Sequence, residues 1–312
     1  MKKRLKVLVL AFAMIFTMMA LTACGGGGSS DEGAAEETFT FKHGYDKDFP
    51  PYSYIGDDGE TTGFDVELAQ AVCELNGWNY EGVAINWDAK DAELESGSID
   101  CIWSGFTKSP DREPKFAWSD PYSVNTIKMM VLEDSDIKST ADLAGKKVGV
   151  QGSTSAQEML ETPNAEGGAE DLMNTFASFE KYDTYTVAVN DLKAGAIDAI
   201  AIDVTTGDYQ MTKVEGLAYL DEDVCQEVYA IGFRTDDTEL RDQVNAALKT
   251  LAENGKMDEI GKKYPEIYEN LSMINNKRRP DAKGYLIRLQ IINNRQPVLR
   301  ELSCSTVFVA LN

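Results

Sequence analysis

Apolar and polar residues alternate through Phe39-Thr-Phe-Lys-His-Gly44 with the period of two expected of a β-strand. Tyr45 to Pro51 breaks the alternation with Asp46, Phe49 and two prolines, which predicts a loop at the strand's C-terminal end. Tyr52 to Ile55 reads as a short extended piece and Gly56 to Gly59 as a turn. Gly63-Phe-Asp65 then opens a helix, with Asp65 in capping position and apolar Val66, Leu68, Ala69 and Val72 behind it. Tyr80 to Ile85 is a second strand. Trp87-Asp88 leads into a helix over Ala89 to Glu95 that ends at Gly97, and Ile99-Asp-Cys-Ile-Trp103 is a third strand. This βαβαβ rhythm predicts right-handed crossovers and a parallel sheet.

A second cycle follows. Lys128 to Leu132 reads as a strand, Ser139-Thr-Ala-Asp-Leu143 as a short helix, Lys146 to Val150 as a strand, and Gly152-Ser-Thr-Ser155 as a small-residue loop entering a helix over Ala156 to Leu160. Ala188 to Leu192 starts a helix ending at Gly195, and Ile197-Asp-Ala-Ile-Ala-Ile202 is a strand that delivers Asp203 to its end. Both cycles run helix, Gly, Ile-Asp strand, polar loop, which predicts two similar lobes rather than one sheet. Val228 to Phe233 is a further apolar strand. Thr238 to Gly255 is an amphipathic helix carrying Leu240, Val244, Leu248 and Leu251 on one face, and Met257 to Tyr264 is a short helix stopped by Pro265.

The ends differ in character from this globule. Lys2, Lys3, Arg4 and Lys6 precede an apolar run from Val7 to Ala20, and Leu21-Thr-Ala-Cys24 follows, so residues 1–23 read as a secretion signal. The run is shorter than the ~20 residues a spanning helix needs. Residues 24–37, with Gly25 to Gly28 and an acidic stretch, read as a flexible leash. Residues 277–312 carry seven Lys or Arg against Asp281 and Glu301, a net +5 on a chain whose total is −22. That tail reads either as an appended or out-of-frame extension or as a basic membrane-surface segment.

The acidic total argues against nucleic acid as a partner. Besides Cys24 the chain has Cys73, Cys101, Cys225 and Cys304, no C-x-x-C and a single His, so neither a zinc site nor any other cofactor is expected. One stretch stands out chemically: Ser104-Gly-Phe-Thr-Lys-Ser-Pro-Asp-Arg112, followed by Phe116-Ala-Trp-Ser-Asp-Pro-Tyr122. A loop of hydroxyls and backbone donors ending in an Arg, seated on an aromatic run, has the composition of a carboxylate receptor.

Taken in order, Asp46-x-x-Phe-x-Pro-Tyr52, Gly63-Phe-Asp-Val-Glu-Leu-Ala, Trp87-Asp, Ser96-Gly-x-Ile-Asp-x-Ile, Ser104-Gly-x-Thr-x-x-x-x-Arg112, Phe116-x-x-Ser-Asp-Pro-Tyr122, Leu143-x-Gly-Lys-Lys-Val-Gly-Val and Gly195-x-Ile-Asp-Ala resemble the polar amino-acid branch of the extracellular solute-binding proteins of ABC importers. Leu21-Thr-Ala-Cys24 resembles a bacterial lipobox, which implies a lipid on Cys24. The resemblance implies an α/β, two-lobed periplasmic-binding-protein-like fold of type II, each lobe a mixed sheet flanked by helices. Lobe one would comprise residues 38–122 with 229–272 and lobe two residues 126–226, joined by crossings near 122–126 and 227–231.

It also implies a role: a monomer, tethered outside the cytoplasmic membrane, that closes on a free amino acid and hands it to a permease. Arg112 would grip the ligand carboxylate in two parallel bonds, assisted by Gly105, Thr107, Thr154 and Ser155. Asp203 would accept from the ammonium with help from Ser104, while Phe49, Tyr52 and Trp87 would wall the carbon skeleton. Asp46, Phe106 and Gln151 complete the expected site. Gln151 is neutral where many relatives place a cation, which disfavours an acidic ligand. The rivals are an enzyme on the same scaffold, resembling cyclohexadienyl dehydratase, and a sensory ligand-binding module. With one His, no phosphate loop and no paired carboxylates at a convincing spacing, the expectation is a binding protein rather than an enzyme.

Overall fold

The structure is a computed structural model and describes residues 38–275. The expected signal segment, Cys24 and its leash, Cys304 and the basic tail lie outside these residues. In chain order, β1 is Thr40–Tyr45. Two-residue β2 (Asp48–Phe49), β3 (Ser53–Ile55) and β4 (Thr61–Thr62) form a small antiparallel sheet of their own. The stretch expected to be a loop after β1 therefore contains a strand, because Asp48 and Phe49 pair with Tyr54 and Ser53.

Helix α1 is Phe64–Asn76, β5 is Asn79–Ala84, α2 is Lys90–Ser96, β6 is Cys101–Ile102 and β7 is Ala117–Trp118. The cap of α1 is Gly63, not Asp65. Gly63 sits at φ 126 with its α-carbon so close to the Tyr52 carbonyl that a Cβ would lie 2.3 Å from it. Asp65 instead turns inward and is fully buried.

Strand β8 (Ser123–Leu132) is twice the length that its apolar pattern suggested. β9 is Lys147–Gln151, α3 is Ser155–Glu161, α4 is Glu170–Met173, β10 is Ser178–Tyr182, α5 is Tyr185–Lys193, β11 is Ala199–Asp203 and α6 is Val204–Lys213. β12 (Leu217–Tyr229) is a strand that the charged run Asp221-Glu-Asp223 hid from pattern reading. β13 is Gly232–Phe233, α7 is Thr238–Glu253, α8 is Lys256–Gly261, α9 is Pro265–Tyr268 and α10 is Ser272–Asn275. Pro265 does not only stop α8. It opens α9 at a first-turn position, where a missing N–H costs nothing.

The strands make two five-stranded sheets in addition to the small one. One has the order β5-β1-β6-β13-β7 and the other β10-β9-β11-β8-β12. Each has a parallel core, as the βα rhythm predicts, and an antiparallel edge: β13 runs against β6 and β7, and β8 against β11 and β12. The molecule is thus a two-lobed mixed α/β protein. Two chain crossings join the lobes and are bonded to each other, with Ser123 opposite Tyr229, Val124 opposite Val228 and Asn125 opposite Glu227. The segment expected as one strand, 228–233, is split between sheets: Tyr229 ends β12 in one and Gly232 begins β13 in the other.

Apolar residues of α1, α7 and α8, including Phe64, Leu68, Val72, Val244, Leu248 and Ile260, pack with Phe41 and Trp103 in a core that continues through Tyr122 and Tyr229 to Tyr185 and Ile200. A second core under β8, β9 and β11 holds Ile127, Val148, Val150 and Leu160. Cys73 and Cys101 are buried free thiols inside the first core, and Cys225 is buried in the second. His43 is likewise internal, placed between the Tyr80 hydroxyl and the Trp103 carbonyl. No helix among the described residues is long and apolar enough to cross a membrane.

Candidate ligand-binding cleft

The C-terminal ends of strands from both sheets converge on one narrow cleft. The first lobe contributes Asp46 just after β1, Phe49 on β2, Trp87 in a 3-10 turn after β5, Ser104, Gly105 and Thr107 after β6, and Arg112. The second contributes Gln151 at the end of β9, Thr154 and Ser155 at the start of α3, and Asp203 at the end of β11. Carboxyl ends of strands are where open α/β sheets present ligand groups, since connections there are free to vary.

Two expected residues stand behind the walls instead. Tyr52 is fully buried, stacks 5.9 Å from Phe49 and meets the Ser123 hydroxyl at 3.1 Å. Phe106 is fully buried, 5.8 Å edge-on to Trp87 and 4.9 Å from the Trp118 ring, and the Arg112 guanidinium sits 5.0 Å above it. Both aromatics keep the lining residues from collapsing into the core. The apolar character that suggested walls is satisfied one layer deeper.

Several expected donors are committed to the protein. The Gly105 N–H donates to Asp65 Oδ2 at 2.8 Å, so it holds the loop rather than offering itself to a ligand. The Ser104 hydroxyl lies 2.6 Å from that of Ser53, which in turn donates to the Asp46 carbonyl, leaving the Ser104 carbonyl for the role expected of it. Thr107 Oγ1 donates to Glu227 Oε2 at 2.9 Å and lies 3.1 Å from the Ser155 hydroxyl. Thr154 caps α3: its hydroxyl donates to the Gln151 carbonyl and accepts from the Gln157 N–H.

Arg112 is 4% exposed and spans the cleft. Its Nε and Nη2 both donate to Glu158 Oε1 on α3, at 2.9 and 2.8 Å, and Nη2 also reaches the Ser153 carbonyl at 3.2 Å. The edge expected to grip a ligand in two parallel bonds is therefore held by a carboxylate of the opposite lobe, and Nη1 lies 3.5 Å from the Thr107 carbonyl. The same Ser153 carbonyl receives Trp87 Nε1 at 3.2 Å and Lys90 Nζ at 3.3 Å. Burial and the neighbouring Arg112 charge pull the Lys90 ammonium down to about 8. Ser153 adopts a left-handed φ of 55 to aim that carbonyl across.

The other end of the cleft is acidic. Asp203 is 3% exposed, and although it occupies the N-cap position of α6 its side chain makes no capping bond. It accepts instead from Asn125 Nδ2 at 2.8 Å and from the Tyr229 hydroxyl. Glu227, 6% exposed, accepts from the same Asn125 amide at 2.7 Å. Burial first, then the Glu227 charge, push the Asp203 carboxyl well above the ordinary range. Asp46, also buried, accepts from the Asp48 N–H and from Gln151 Nε2, both reaching across short distances of 2.9 and 2.8 Å. Desolvation raises it as well. Gln151 Oε1 is buried with no hydrogen-bond partner. Asp46 is thus both a turn acceptor and part of the lining.

The residues that pattern reading missed are Asp65, Asn125, Glu158 and Glu227. Asp65 lies in the Gly63-Phe-Asp-Val-Glu-Leu-Ala motif but reads there as a helix cap; the other three lie in no motif, and each of the four meets the site through a partner 40 to 120 residues away. Alternation along Asn125, Ile127, Met129 on β8 would have marked one buried face, with Asn125 the polar exception on it.

Two α/β lobes joined by paired strands, with a buried cation and buried acids lining the cleft between them, have the architecture of a protein that binds a small polar solute. The chain accordingly matches the bacterial extracellular solute-binding proteins, family 3, over residues 41–266, and it belongs to that family. It has the type II periplasmic-binding-protein fold.

Among its relatives, the arginine-binding extracellular protein ArtP of Bacillus subtilis is 31% identical, covering 83% of this chain and 97% of ArtP. The L-cystine-binding protein TcyJ of Escherichia coli K12 is 30% identical, covering 75% and 87%. Among solved structures, the substrate-binding protein of an ABC uptake transporter from Streptococcus pneumoniae with bound histidine superposes with a TM-score of 0.68 at 32% identity, covering 72% of this chain and 92% of that one.

Proposed function

We propose that this protein is the amino-acid receptor of an ABC importer, and that it is a binding protein rather than an enzyme. The observation that carries this reading is that Arg112 and the buried acid Asp203, which has no Lys or Arg partner among the described residues, line the same cleft from opposite lobes. A zwitterion losing water at both ends needs one group of each sign, and it needs them from both lobes if binding is to favour closure. The ligand carboxylate meets the Nη1 side of Arg112 and the Thr107 backbone, and the ammonium meets Asp203 and the Ser104 carbonyl. In this reading residues 38–122 with 229–272 and residues 126–226 are the two jaws.

The ligand side chain faces Asp46 and the unpartnered Gln151 Oε1, two acceptors that have no Lys or Arg as hydrogen-bond or ion-pair partner among the described residues. That favours a side chain bearing a hydrogen-bond donor or a positive charge over an acidic or purely aliphatic one. Relatives named for arginine and cystine, and a neighbour holding histidine, are in keeping with it.

We also infer a lipid at Cys24 that tethers the receptor to the outer face of the membrane beside its permease. Titration calorimetry of the refolded, ligand-stripped protein against the twenty amino acids and cystine tests the central reading. Binding of arginine, lysine, histidine, glutamine or cystine is expected, and Arg112→Ala is expected to weaken it about a hundredfold through loss of charge-assisted bonds. Heat with none of them would sink the assignment. Release of a Cys24→Ala variant from the membrane fraction tests the anchor.

A further inference from the structure

The two crossings between lobes carry more than connectivity. Asn125 on β8 lies between β11 and β12, and its single amide group donates to Asp203 Oδ1 at 2.8 Å and to Glu227 Oε1 at 2.7 Å. Two carboxylates are thereby held against one neutral donor group, both nearly devoid of solvent. Their remaining bonds are also neutral, from the Tyr229 and Thr107 hydroxyls. Among the described residues neither has a Lys or Arg as a hydrogen-bond or ion-pair partner. The cation of the cleft, Arg112, bonds to Glu158 and backbone carbonyls and to neither of these acids.

The titratable groups that face the pair are phenols: Tyr229 and Tyr219 on β12, Tyr185 on α5 and Tyr52 from the other lobe. Burial drives all four upward, so they stay neutral and supply no positive charge. The Tyr185 hydroxyl is buried close to Asp203.

Two buried carboxylates this close without a counter-ion cannot both be ionised at modest cost. We propose that Asp203 and Glu227 act as one acidic unit that holds a single proton while the cleft is empty of ligand and surrenders it to solvent when a ligand ammonium docks at Asp203. The exchange balances: the carboxyl O–H breaks, its proton leaves to buffer, and an ammonium N–H to carboxylate hydrogen bond takes its place. The net charge of the buried group is the same before and after, so the hinge strands never enclose two uncompensated charges. Glu227 is a positioning residue, since it stands behind Thr107 and outside the lining while its charge beside Asp203 favours the proton there. The proposal rests on the amino-acid reading only for the cation that displaces the proton. Its consequence is that affinity falls about tenfold per pH unit once the pair is protonated in the free protein.

Two measurements on the full chain test it. Infrared difference spectra of ligand-free protein at pH 7, wild type minus Glu227→Gln and wild type minus Asp203→Asn, should each show the loss of a protonated-carboxyl band. A band unchanged by either substitution, or arising from Asp65 alone as judged by Asp65→Asn, overturns the shared proton. Calorimetry with L-arginine or L-glutamine, whose side chains do not titrate near neutrality, is then run in phosphate and in Tris. About one proton should be released per ligand bound by the wild type and almost none by Glu227→Gln. Tight binding without proton release would overturn the exchange. A band that behaves as expected with no binding of any amino acid would instead overturn the displacement and the amino-acid reading, leaving the paired proton standing.

Discussion

Asp65 offers the sharpest test of how the binding loop is held. Its Oδ2 accepts the Gly105 N–H at 2.8 Å and the Tyr122 hydroxyl at 2.7 Å, and its Oδ1 is buried with no partner. Desolvation lifts this carboxyl from 3.8 to about 7. Because the folded value lies above the unfolded one, the folded protein keeps a proton that the unfolded chain has lost. The stabilisation is complete below the unfolded value and drains away as the pH rises through about 7, at most about 4 kcal/mol in all.

Asp65→Asn preserves an acceptor at Oδ2 and cannot ionise, so it should gain stability relative to wild type between pH 5 and pH 8. Asp65→Ala strands a buried N–H and a buried hydroxyl, each costing roughly 1–3 kcal/mol, so it should lose about 4 kcal/mol at pH 5 and most of its ligand affinity. Urea unfolding followed by tryptophan fluorescence at the two pH values reads all three proteins. Equal losses in the Asn and Ala variants, or a wild type that holds its stability against the Asn variant as the pH rises, would refute the assignment.

Three further outcomes follow from the same geometry. Gly105→Ala places a Cβ 2.5 Å from the Phe49 ring at a φ of 55, so ligand affinity should fall about tenfold with little change in far-ultraviolet dichroism. Glu158→Gln removes a cross-cleft ion pair whose carboxylate is 41% exposed; discounted for solvent, the loss of about 1 kcal/mol should shift the free protein toward the open form, seen as a larger radius of gyration in X-ray scattering. His43, lowered to about 4 by burial, stays neutral in the fold, so its contribution is full above 6.5 and lost as the pH falls through 4. Unfolding free energies from urea titration at pH 7 and pH 4 should therefore converge for His43→Gln by about 3 kcal/mol relative to wild type.

Much of the fold was legible because its signals are local. Periodicity placed α1, α7, β1, β9 and β11 to within a residue or two, since a buried face must repeat with the element's own period. Where the pattern misled, a tertiary demand had outbid it. Asp65 looked like a cap but turned inward to hold Gly105, and the acids of β12 hid a strand whose exposed edge can carry charge.

The loop from Ser104 to Arg112 could be recognised as a place for a carboxylate from residue types alone, because Arg and free backbone donors have that chemistry wherever they meet. Which of those donors remain available was decided by the tertiary structure. Only there do Asp65 take the Gly105 N–H, Glu227 take the Thr107 hydroxyl and Glu158 take one edge of Arg112. The pairing of Asp203 with Glu227 belongs to the same category, for it depends on Asn125 standing between two strands. A sequence states what each group can bond; a fold assigns each bond once, and hydrogen-bond partners distant along the chain compete for the same few atoms.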